Sequence, residues 1–370
     1  MKKILIVFGT RPEAIKMASL VKEFQKYPEL FEIKVCVTAQ HREMLDQVLS
    51  FFEIVPNYDL NLMRPGQNLY QLSADVITGL KPILEEFKPD YSFVHGDTTT
   101  SMAAALASFY AGVKVCHVEA GLRTYNKLAP FPEEMNRQIT GRLTDIHFAP
   151  TPKAEENLLS EKVGGTIEIT GNTVIDALLY AVDKLQNYSD DEIKALEKVL
   201  DFSKPILLVT GHRRENFGEG FSNICKALLE IANKNDIEIV YPVHLNPQVQ
   251  SPVNSLLGNQ HNIKLIKPLA YPAFVWLMNK SSIILTDSGG IQEEAPSLGK
   301  SVLVMRETTE RPEAIEAGTV KLVGTDKTKI ITEVERLLTD KQYYQNMQKI
   351  HNPYGDGKAV VRIVDKMKTW

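Results

Sequence analysis

Short apolar segments alternate with longer amphipathic segments along almost the whole chain. Runs rich in Val, Ile and Leu, which are typical of buried strands, lie at 3–8, 33–37, 91–95, 114–118, 145–149, 166–169, 205–210, 237–242, 263–266, 282–286, 301–305 and 320–323. Segments with helical periodicity lie at 12–26, 68–87, 99–110, 134–142, 152–160, 219–233 and 327–348. This alternation predicts an α/β protein whose parallel sheets are covered by helices on both faces.

A polar, turn-rich stretch near the middle of the chain separates two groups of predicted strands. It includes NYSDD at 187–191 and DFSKP at 201–205, so a domain junction is predicted between 171 and 204. We predict two doubly wound, Rossmann-like domains, 1–171 and 172–350, which face each other across a cleft. The last segment, 351–370, is predicted to form a helix that crosses back to the first domain. Ligands of such domains bind at the carboxyl ends of the strands.

Composition and charge limit the partners of the protein. The chain has 370 residues, of which 44% are apolar and 24% charged, and is long enough for two well-packed domains. Its net charge of -4 provides no general basic surface for nucleic acid, so an anion must be bound by local arginines and helix ends. No apolar stretch approaches the ~20 residues of a membrane span. The three cysteines lie far apart in sequence, which favours buried free thiols in a reducing cytoplasm.

The stretch TDSGGIQEEAPSLGKSVLVMRETTERPEAIE at 286–316 is the most informative about function. A predicted strand leads into Ser288-Gly289-Gly290, and a helix containing Glu293 and Glu294 follows. Glycines at a strand-to-helix turn let backbone N–H groups approach an anion. The pattern indicates a nucleoside diphosphate site in which Glu294 holds the ribose. The alternative is a tight turn followed by a solvated acidic helix face.

Charged residues also follow the first predicted strand, in the segment GTRPEAIK at 9–16. Pro12 fits the first positions of a helix, where no backbone donor is needed. Arg11 and Lys16 can both face the cleft from this helix. They can equally belong to a capped helix whose charges are simply solvated.

His95 and Asp97 end one strand, and His117 and Glu119 end the next. Because residues two apart in a strand share a face, each pair is expected to point in one direction. Asp97 can instead cap the following helix. Glu119 leaves an apolar strand as a carboxylate and therefore needs a partner or a function.

Two further groups of polar residues are candidates for chemistry. Glu133 and Glu134 open a helix, where the macrodipole accounts for one acidic residue and leaves Glu133 available for function. In the second half, His212 follows Gly211 at a strand end, and His244 has a similar place after the next strand. A histidine in such a position is well placed as an acid, a base or a phosphate ligand.

Three hypotheses are compatible with these spacings. The first is a nucleotide-sugar enzyme that uses Asp97, Glu119 and Glu133 together with His212 and the Ser-Gly-Gly turn. The second is a metal-dependent hydrolase with His95, Asp97, His117 and Glu119 as ligands, although no HExxH or paired CxxC motif supports it. The third is a non-catalytic nucleotide-sugar sensor, which would need no cluster of carboxylates.

The motifs, in their order along the chain, resemble those of the non-hydrolysing UDP-N-acetylglucosamine 2-epimerase family. The matching segments are FGTRPEAIKMA (8–18), AQHREML (39–45), HGDTTTSMAAALA (95–107), HVEAGLRT (117–124), FPEEMNRQ (131–138), ITGNTVIDAL (169–178), TGHRREN (210–216), PVHLNP (242–247) and TDSGGIQEEAPSLGKSVLVMRETTERPEA (286–314). The resemblance implies the two-domain GT-B fold, a homodimer, and neither a metal nor a nicotinamide cofactor. It also implies bacterial interconversion of UDP-N-acetylglucosamine (UDP-GlcNAc) and UDP-N-acetylmannosamine (UDP-ManNAc) for polysaccharide synthesis. A hydrolysing relative, which releases N-acetylmannosamine and UDP, is the alternative within the fold.

The resemblance also implies roles for individual residues. The catalytic set comprises three carboxylates for proton transfer and one histidine: Asp97, Glu119, Glu133 and His212. Substrate binding falls on residues that hold the diphosphate, the ribose and the sugar: Arg11, Lys16, Arg213, Phe274, Ser288, Gly289, Gly290, Glu294 and Arg311. Which carboxylate removes which proton does not follow from the resemblance.

Members of the family carry a second, activating UDP-GlcNAc site. By resemblance its residues here are Gln40, His41, Glu43 and His244. Many relatives have Gln where this chain has Glu43. This difference predicts weaker activation without any effect on the chemistry.

Overall fold

The computed structural model describes residues 1–39, 42–64, 66–309, 311–348 and 351–370. The chain divides into two compact units, Met1–Tyr180 with Tyr354–Trp370, and Ala181–Pro353. The predicted domains, 1–171 and 172–350, stay predictions. Among the described residues, no helix is both long and apolar enough to cross a lipid bilayer.

The first unit is built from alternating strands and helices. Its strands are β1 (Lys2–Phe8), β2 (Phe31–Val37), β3 (Tyr58–Asp59), β4 (Tyr91–His95), β5 (Lys114–Val118), β6 (Ile146–Ala149) and β7 (Thr166–Ile169). Its helices are α1 (Arg11–Phe24), α2 (Arg42–Phe51), α3 (Leu69–Phe87), α4 (Thr99–Tyr110), α5 (Glu133–Leu143) and α6 (Pro152–Ser160). Helix α7 (Thr173–Lys184) follows β7.

The first sheet has the strand order β3-β2-β1-β4-β5-β6-β7, and all its neighbours are parallel. Its central strands are apolar on both faces because helices cover both sides; Ile4, Leu5 and Ile6 of β1, for example, are fully buried. The direction of winding reverses between β1 and β4. In doubly wound sheets, ligands bind at such a reversal, so the loops after these two strands are the expected binding edge.

The carboxyl terminus of the chain belongs to the first unit. Its last helix begins at Ala359 and ends at Thr369, and it packs on α1. Nζ of Lys2 donates a hydrogen bond of 2.6 Å to the carbonyl of Met367, and Nη1 of Arg362 donates one of 2.9 Å to the carbonyl of Thr170. The helix predicted at the end of the chain is therefore present.

The second unit repeats the same architecture. Its strands are β8 (Ile206–Thr210), β9 (Glu238–Pro242), β10 (Ile263–Ile266), β11 (Ile283–Thr286), β12 (Ser301–Val304) and β13 (Val320–Leu322). Its helices are α8 (Asp191–Val199), α9 (Glu219–Lys234), α10 (Pro247–Leu257), α11 (Tyr271–Lys280), α12 (Gly289–Glu294), α13 (Pro312–Glu316), α14 (Lys327–Thr339) and α15 (Lys341–Gln348), and the last helix of the chain is α16. The strand order is β10-β9-β8-β11-β12-β13, entirely parallel, and the winding reverses between β8 and β11.

Every strand predicted from the sequence is present, but one predicted helix is divided into two and several elements were not predicted. The boundary between the two units, after Tyr180, lies within the stretch 171–204 in which a junction was predicted, although α7 and α8 occupy most of that stretch. The helix predicted at 327–348 is interrupted at Asp340, whose backbone is extended and whose carboxylate accepts from the N–H of Tyr343 in the next helix. The short strand β3 and the helices α10 and α11 were not predicted. Pro252 within α10 and Pro272 near the start of α11 disguise their helical pattern.

Candidate active site

Glu13 ties together the two loops at the reversal of the first sheet. Its Oε2 accepts hydrogen bonds from the backbone N–H groups of Thr10 (2.8 Å) and Gly9 (3.1 Å), as in a capping box. Its Oε1 lies 2.7 and 2.9 Å from the hydroxyls of Thr98 and Ser101 in the other loop. Burial raises the pKa of Glu13, and these hydrogen bonds oppose the rise. Helix α1 is therefore capped, as one of the two interpretations of the segment 9–16 predicted. Arg11 is the first residue of this helix and is half-buried.

Glu119 lies within a group of polar side chains drawn from four segments of the first unit. Its Oε1 lies 2.5 Å from Nζ of Lys16 and accepts a hydrogen bond of 3.0 Å from Nδ2 of Asn172. Its Oε2 lies 3.3 Å from Nε2 of His95. The backbone of Glu119 is left-handed, with φ of 62°, a conformation that costs on the order of 1 kcal/mol for a non-glycine residue. Such a cost is typical of residues whose position serves a function.

His95 stays neutral in this environment. Burial lowers its pKa to about 4, and the neighbouring Glu119 carboxylate only partly opposes that effect. The positive charge beside Glu119 at neutral pH therefore comes from Lys16.

Asp97 lies beyond the end of β4 and faces Arg137 of α5. Gly96 has φ of 65°, so the alternation of the strand stops before Asp97, and the prediction that His95 and Asp97 share a face is wrong. Nε and Nη2 of Arg137 donate to Oδ2 of Asp97 at 3.0 and 2.6 Å. The cap of α4 is Thr98, so the alternative capping role for Asp97 is excluded.

The two glutamates at the start of α5 differ in their surroundings. Glu134 is fully buried and accepts hydrogen bonds from Gln138 Nε2 (2.9 Å) and from the N–H groups of Thr124 (2.9 Å) and Tyr125 (3.3 Å). Burial acts to raise the pKa of Glu134, but these bonds and Arg137 hold it below its usual value. Oε2 of Glu133 is buried without a hydrogen-bond partner. Glu134 therefore has the structural role, and Glu133 remains the candidate for chemistry.

The four ligands of the hypothetical metal site do not converge. Nε2 of His117 lies 2.7 Å from the carbonyl of Gly96, while Asp97 pairs with Arg137 and Glu119 with Lys16. Within 1–39, 42–64, 66–309, 311–348 and 351–370, no three His, Cys, Asp or Glu side chains are arranged to hold a metal ion. The donor set thus does not fit a metal-dependent hydrolase.

In the second unit, the candidate residues follow β8 and β11 at the reversal of the sheet. His212 is half-exposed, and the N–H groups of His212 and Arg213 both donate to Oδ2 of Asp287 at 2.8 Å. Nε of Arg213 also reaches the carbonyl of Asp287 at 3.3 Å. These two amides are therefore directed inward, while the imidazole of His212 is half-exposed.

The Ser288-Gly289-Gly290 turn leads into α12, which is only six residues long and ends at Glu294. Pro296 follows, and the chain continues as a 3₁₀ turn, Ala295–Leu298. A Cβ built on Gly290 would lie 3.4 Å from Oε1 of Glu294, so this carboxylate lies directly beside the glycine turn.

Two arginines that follow this turn in the sequence, Arg306 and the candidate Arg311, are held by carboxylates. Nε of Arg311 donates to Oε1 of Glu293, and the Arg311 guanidinium passes within 3.8 Å of the position of a Cβ on Gly289. Nε of Arg306 donates to Oε1 of Glu215 at 2.7 Å. Phe274 is half-buried on α11.

The candidates for the second site are only partly described. Gln40 and His41 lie outside the described residues, and Glu43 is exposed in the first turn of α2. His244 is exposed after β9, and its ring stacks on that of His212 with centroids 5.4 Å apart and planes 18° apart.

Several polar residues of the site were missed by sequence reasoning. They are buried or half-buried groups that hold the candidates in place: Glu13, Arg137, Asn172 and Asp287. Each of them except Arg137 lies within two positions of a strand-end glycine or a candidate residue. A charged or amide side chain at the end of an apolar strand is the signal that would have found them.

Comparison with known proteins identifies a family. The sequence model of the family described as UDP-N-acetylglucosamine 2-epimerase matches residues 22–368. The UDP-N-acetylglucosamine 2-epimerase of Escherichia coli O157:H7 is 60% identical over 370 residues, which cover 99% of this chain and 98% of the relative.

Solved structures agree with this assignment. The UDP-GlcNAc 2-epimerase of Neisseria meningitidis, bound to UDP-GlcNAc, is 52% identical with a TM-score of 0.88, and each chain is covered completely. The Methanocaldococcus jannaschii UDP-GlcNAc 2-epimerase in complex with UDP-GlcNAc and UDP is 32% identical with a TM-score of 0.78, again with complete coverage. The predicted fold class, two doubly wound α/β domains of the GT-B type, is confirmed. The chain belongs to the UDP-N-acetylglucosamine 2-epimerase family.

Proposed function

We propose that the protein interconverts UDP-GlcNAc and UDP-ManNAc by elimination and re-addition of UDP, without net hydrolysis. The main support is the environment of Glu119, a carboxylate in a left-handed backbone conformation that Lys16 and Asn172 hold at the switch-point edge of the first sheet. A relative that is 52% identical over its whole length has been solved with UDP-GlcNAc bound.

The reaction needs elimination because the hydrogen on carbon 2 of the sugar is not activated. In the first half, a base removes that proton while the bond between carbon 1 and the UDP oxygen breaks. UDP leaves with the bonding electron pair, and a double bond forms between carbons 1 and 2. In the second half, a proton returns to carbon 2 from the opposite face and the UDP oxygen re-forms its bond to carbon 1. The enzyme must therefore retain UDP and place proton-transfer groups on two faces of the sugar.

The first unit supplies the proton-transfer groups in this proposal. Asp97, Glu119 and Glu133 are the three carboxylates assigned to that role. Lys16 forms an ion pair with Glu119, and Arg137 forms one with Asp97. Glu133 is different because its buried Oε2 has no partner, so a substrate proton can become that partner.

The second unit supplies the groups for UDP. The imidazole of His212 and the N–H groups of Gly289 and Gly290, which start a helix and have no acceptor within it, suit the diphosphate. Glu294, beside this turn, is assigned to the ribose. The remaining members of the substrate-binding set are Arg11 and Lys16 of the first unit and Arg213, Phe274, Ser288 and Arg311 of the second.

Nε of Arg311 is held by Glu293, and the guanidinium has further N–H donors with which it can contact the substrate beside the glycine turn. We also propose, from the family resemblance, a cytoplasmic homodimer that supplies polysaccharide synthesis.

The decisive experiment follows the products of UDP-GlcNAc in heavy water by NMR. We expect UDP-ManNAc as product, with deuterium at carbon 2 in both nucleotide sugars, and no stoichiometric release of N-acetylmannosamine. A chelator should leave the rate unchanged. Free N-acetylmannosamine and UDP in equal amounts would instead identify a hydrolysing enzyme. Retention of the original hydrogen at carbon 2 would exclude elimination.

A further inference from the structure

Asp287 is a fully buried carboxylate to which no role in the reaction has been assigned. It follows Thr286, the last residue of β11, and its Oδ2 is well satisfied by the N–H groups of His212 and Arg213. Nδ2 of Asn216 lies 3.4 Å from the same oxygen. Three donors from the loop after β8 thus converge on one oxygen of Asp287.

The other oxygen of Asp287 is in a different situation. Oδ1 is buried and has no hydrogen-bond partner, although a buried carboxylate oxygen is costly to leave without a donor. The atom facing it is Nδ1 of His212, at 3.5 Å. A small rotation of the half-exposed imidazole brings these two atoms to hydrogen-bonding distance.

We propose that Asp287 is a positioning residue for His212: its Oδ1 accepts the Nδ1–H of the imidazole, which leaves Nε2 directed toward the diphosphate of the substrate. The proposal rests on the role assigned above to His212. Since the hydrogen bond made by one ring nitrogen sets the state of the other, Asp287 would determine which nitrogen meets UDP.

The charges around His212 explain how a bound diphosphate would affect the charge of the imidazole. Burial lowers the pKa of the His212 imidazole, Asp287 opposes this effect, and His244 and Arg213 add to it. A bound diphosphate adds a second anion on the opposite side of the ring. The imidazolium then lies between two anions and donates from both nitrogens, which stabilises the charge that grows on UDP as the bond to carbon 1 breaks.

The variant Asp287→Asn separates positioning from loop support. The amide oxygen can replace Oδ2 as the acceptor of the loop N–H groups, while the amide NH₂ replaces Oδ1 and faces Nδ1 of His212. Because that NH₂ is a donor, it favours the opposite tautomer of the imidazole, with hydrogen on Nε2. The hydrogen bonds that hold the loop are thus retained, while the hydrogen bond between residue 287 and the His212 imidazole reverses its direction.

The first measurement is nitrogen-15 NMR of histidine-labelled protein, with the His212 signals identified by their loss in His212→Gln. We expect neutral His212 to carry hydrogen on Nδ1 in the unaltered protein and on Nε2 in Asp287→Asn. This readout needs no activity, so it tests the pair even if the proposed reaction is wrong. Hydrogen on Nε2 in the unaltered protein would overturn the proposal, whatever the variant does.

The second measurement is the pH profile of kcat/KM with UDP-GlcNAc, whose diphosphate does not itself titrate near neutral pH. We expect Asp287→Asn to lower kcat/KM about 10- to 100-fold. Its alkaline limb should move to lower pH by about one unit, because the imidazolium loses its carboxylate. In a His212→Gln background, the same substitution should cost less than about 2-fold.

Asp176→Asn is the matched control. Asp176 is also a buried carboxylate that accepts from two backbone N–H groups, those of Ala359 and Val360, but it lies in the first unit. The variant Asp176→Asn should leave the His212 tautomer and the alkaline limb of the kcat/KM profile unchanged. Asp287 would only support the loop if Asp287→Asn left the His212 tautomer and the alkaline limb of kcat/KM unchanged. The same conclusion would follow if Asp287→Asn lowered kcat/KM equally in the presence and absence of His212→Gln.

Discussion

Nζ of Lys16 lies 2.5 Å from Oε1 of Glu119, and the two side chains are only 17% and 8% exposed. They come from α1 and from the end of β5, more than a hundred positions apart in sequence. Asn172 donates to the same carboxylate oxygen. The carboxylate of Glu119 is therefore paired with a cation that only the fold brings to it.

Lys16→Met should separate this pair and lower both activity and stability. Removal of the cation leaves Glu119 with less compensation for its burial, at a cost on the order of 1–3 kcal/mol. We expect a lower midpoint in urea unfolding and a strong loss of turnover in the folded fraction. Lys26→Met is the control, since Lys26 pairs with Glu23 at 2.6 Å but is 64% exposed. Equal stability losses in the two variants would contradict the structural role of the Lys16–Glu119 pair.

The three proposed proton-transfer groups can be tested with near-isosteric amides. Asp97→Asn, Glu119→Gln and Glu133→Gln should each slow epimerisation by at least ~10²-fold, the usual effect of a positioned proton-transfer group. The variants should remain folded and bind UDP, as judged by thermal unfolding and calorimetry. Glu85→Gln removes a carboxylate that is 66% exposed on α3 and should be without effect. Turnover near normal in all three variants would remove these residues from the mechanism.

His117 should make the protein less stable as the pH falls. Burial lowers its pKa to about 3, whereas an unfolded histidine titrates near the ordinary value of 6.5. Between these values the unfolded chain binds a proton that the native state does not, so the free energy of unfolding falls by about 1.4 kcal/mol for each pH unit lost. His117→Gln should remove this contribution while keeping a donor for the Gly96 carbonyl.

The measurement is urea unfolding of His117→Gln and of the unaltered protein between pH 8 and pH 5. Their difference isolates His117 because other groups cancel, including Asp176, whose pKa burial raises to about 6 and which acts in the opposite direction. The exposed His261 provides the control variant His261→Gln. Parallel stability curves for the unaltered protein and His117→Gln would show that His117 is not buried in its neutral form.

Regulation by a second nucleotide sugar should be weak in this chain. Glu43 is exposed in α2, at a position where the family resemblance implies an uncharged Gln in many members, and its carboxylate would repel a diphosphate. We expect Glu43→Gln to be activated more strongly by small amounts of UDP-GlcNAc added to a reaction that starts from UDP-ManNAc. A reverse rate that responds in neither protein would mean that the second site is absent or inactive.

The sequence by itself determined the elements and the loops that carry the site. All predicted strands are present because a strand buried on both faces must be continuously apolar, and this pattern is local. The Ser-Gly-Gly turn and the polar residues at the strand ends could also be recognised from the sequence, because these patterns are local as well. The chemistry of each residue type is readable without knowing its neighbours.

Tertiary structure decided which polar groups meet. The sequence gives no sign that Glu13 joins the loops after β1 and β4, that Arg137 holds Asp97, or that His212 stacks on His244. Likewise, nothing local distinguishes Glu134, which five donors surround, from Glu133. Burial, charge compensation and the direction of a hydrogen bond depend on segments that are distant in the chain. They are therefore properties of the packed fold, which the one-dimensional pattern does not contain.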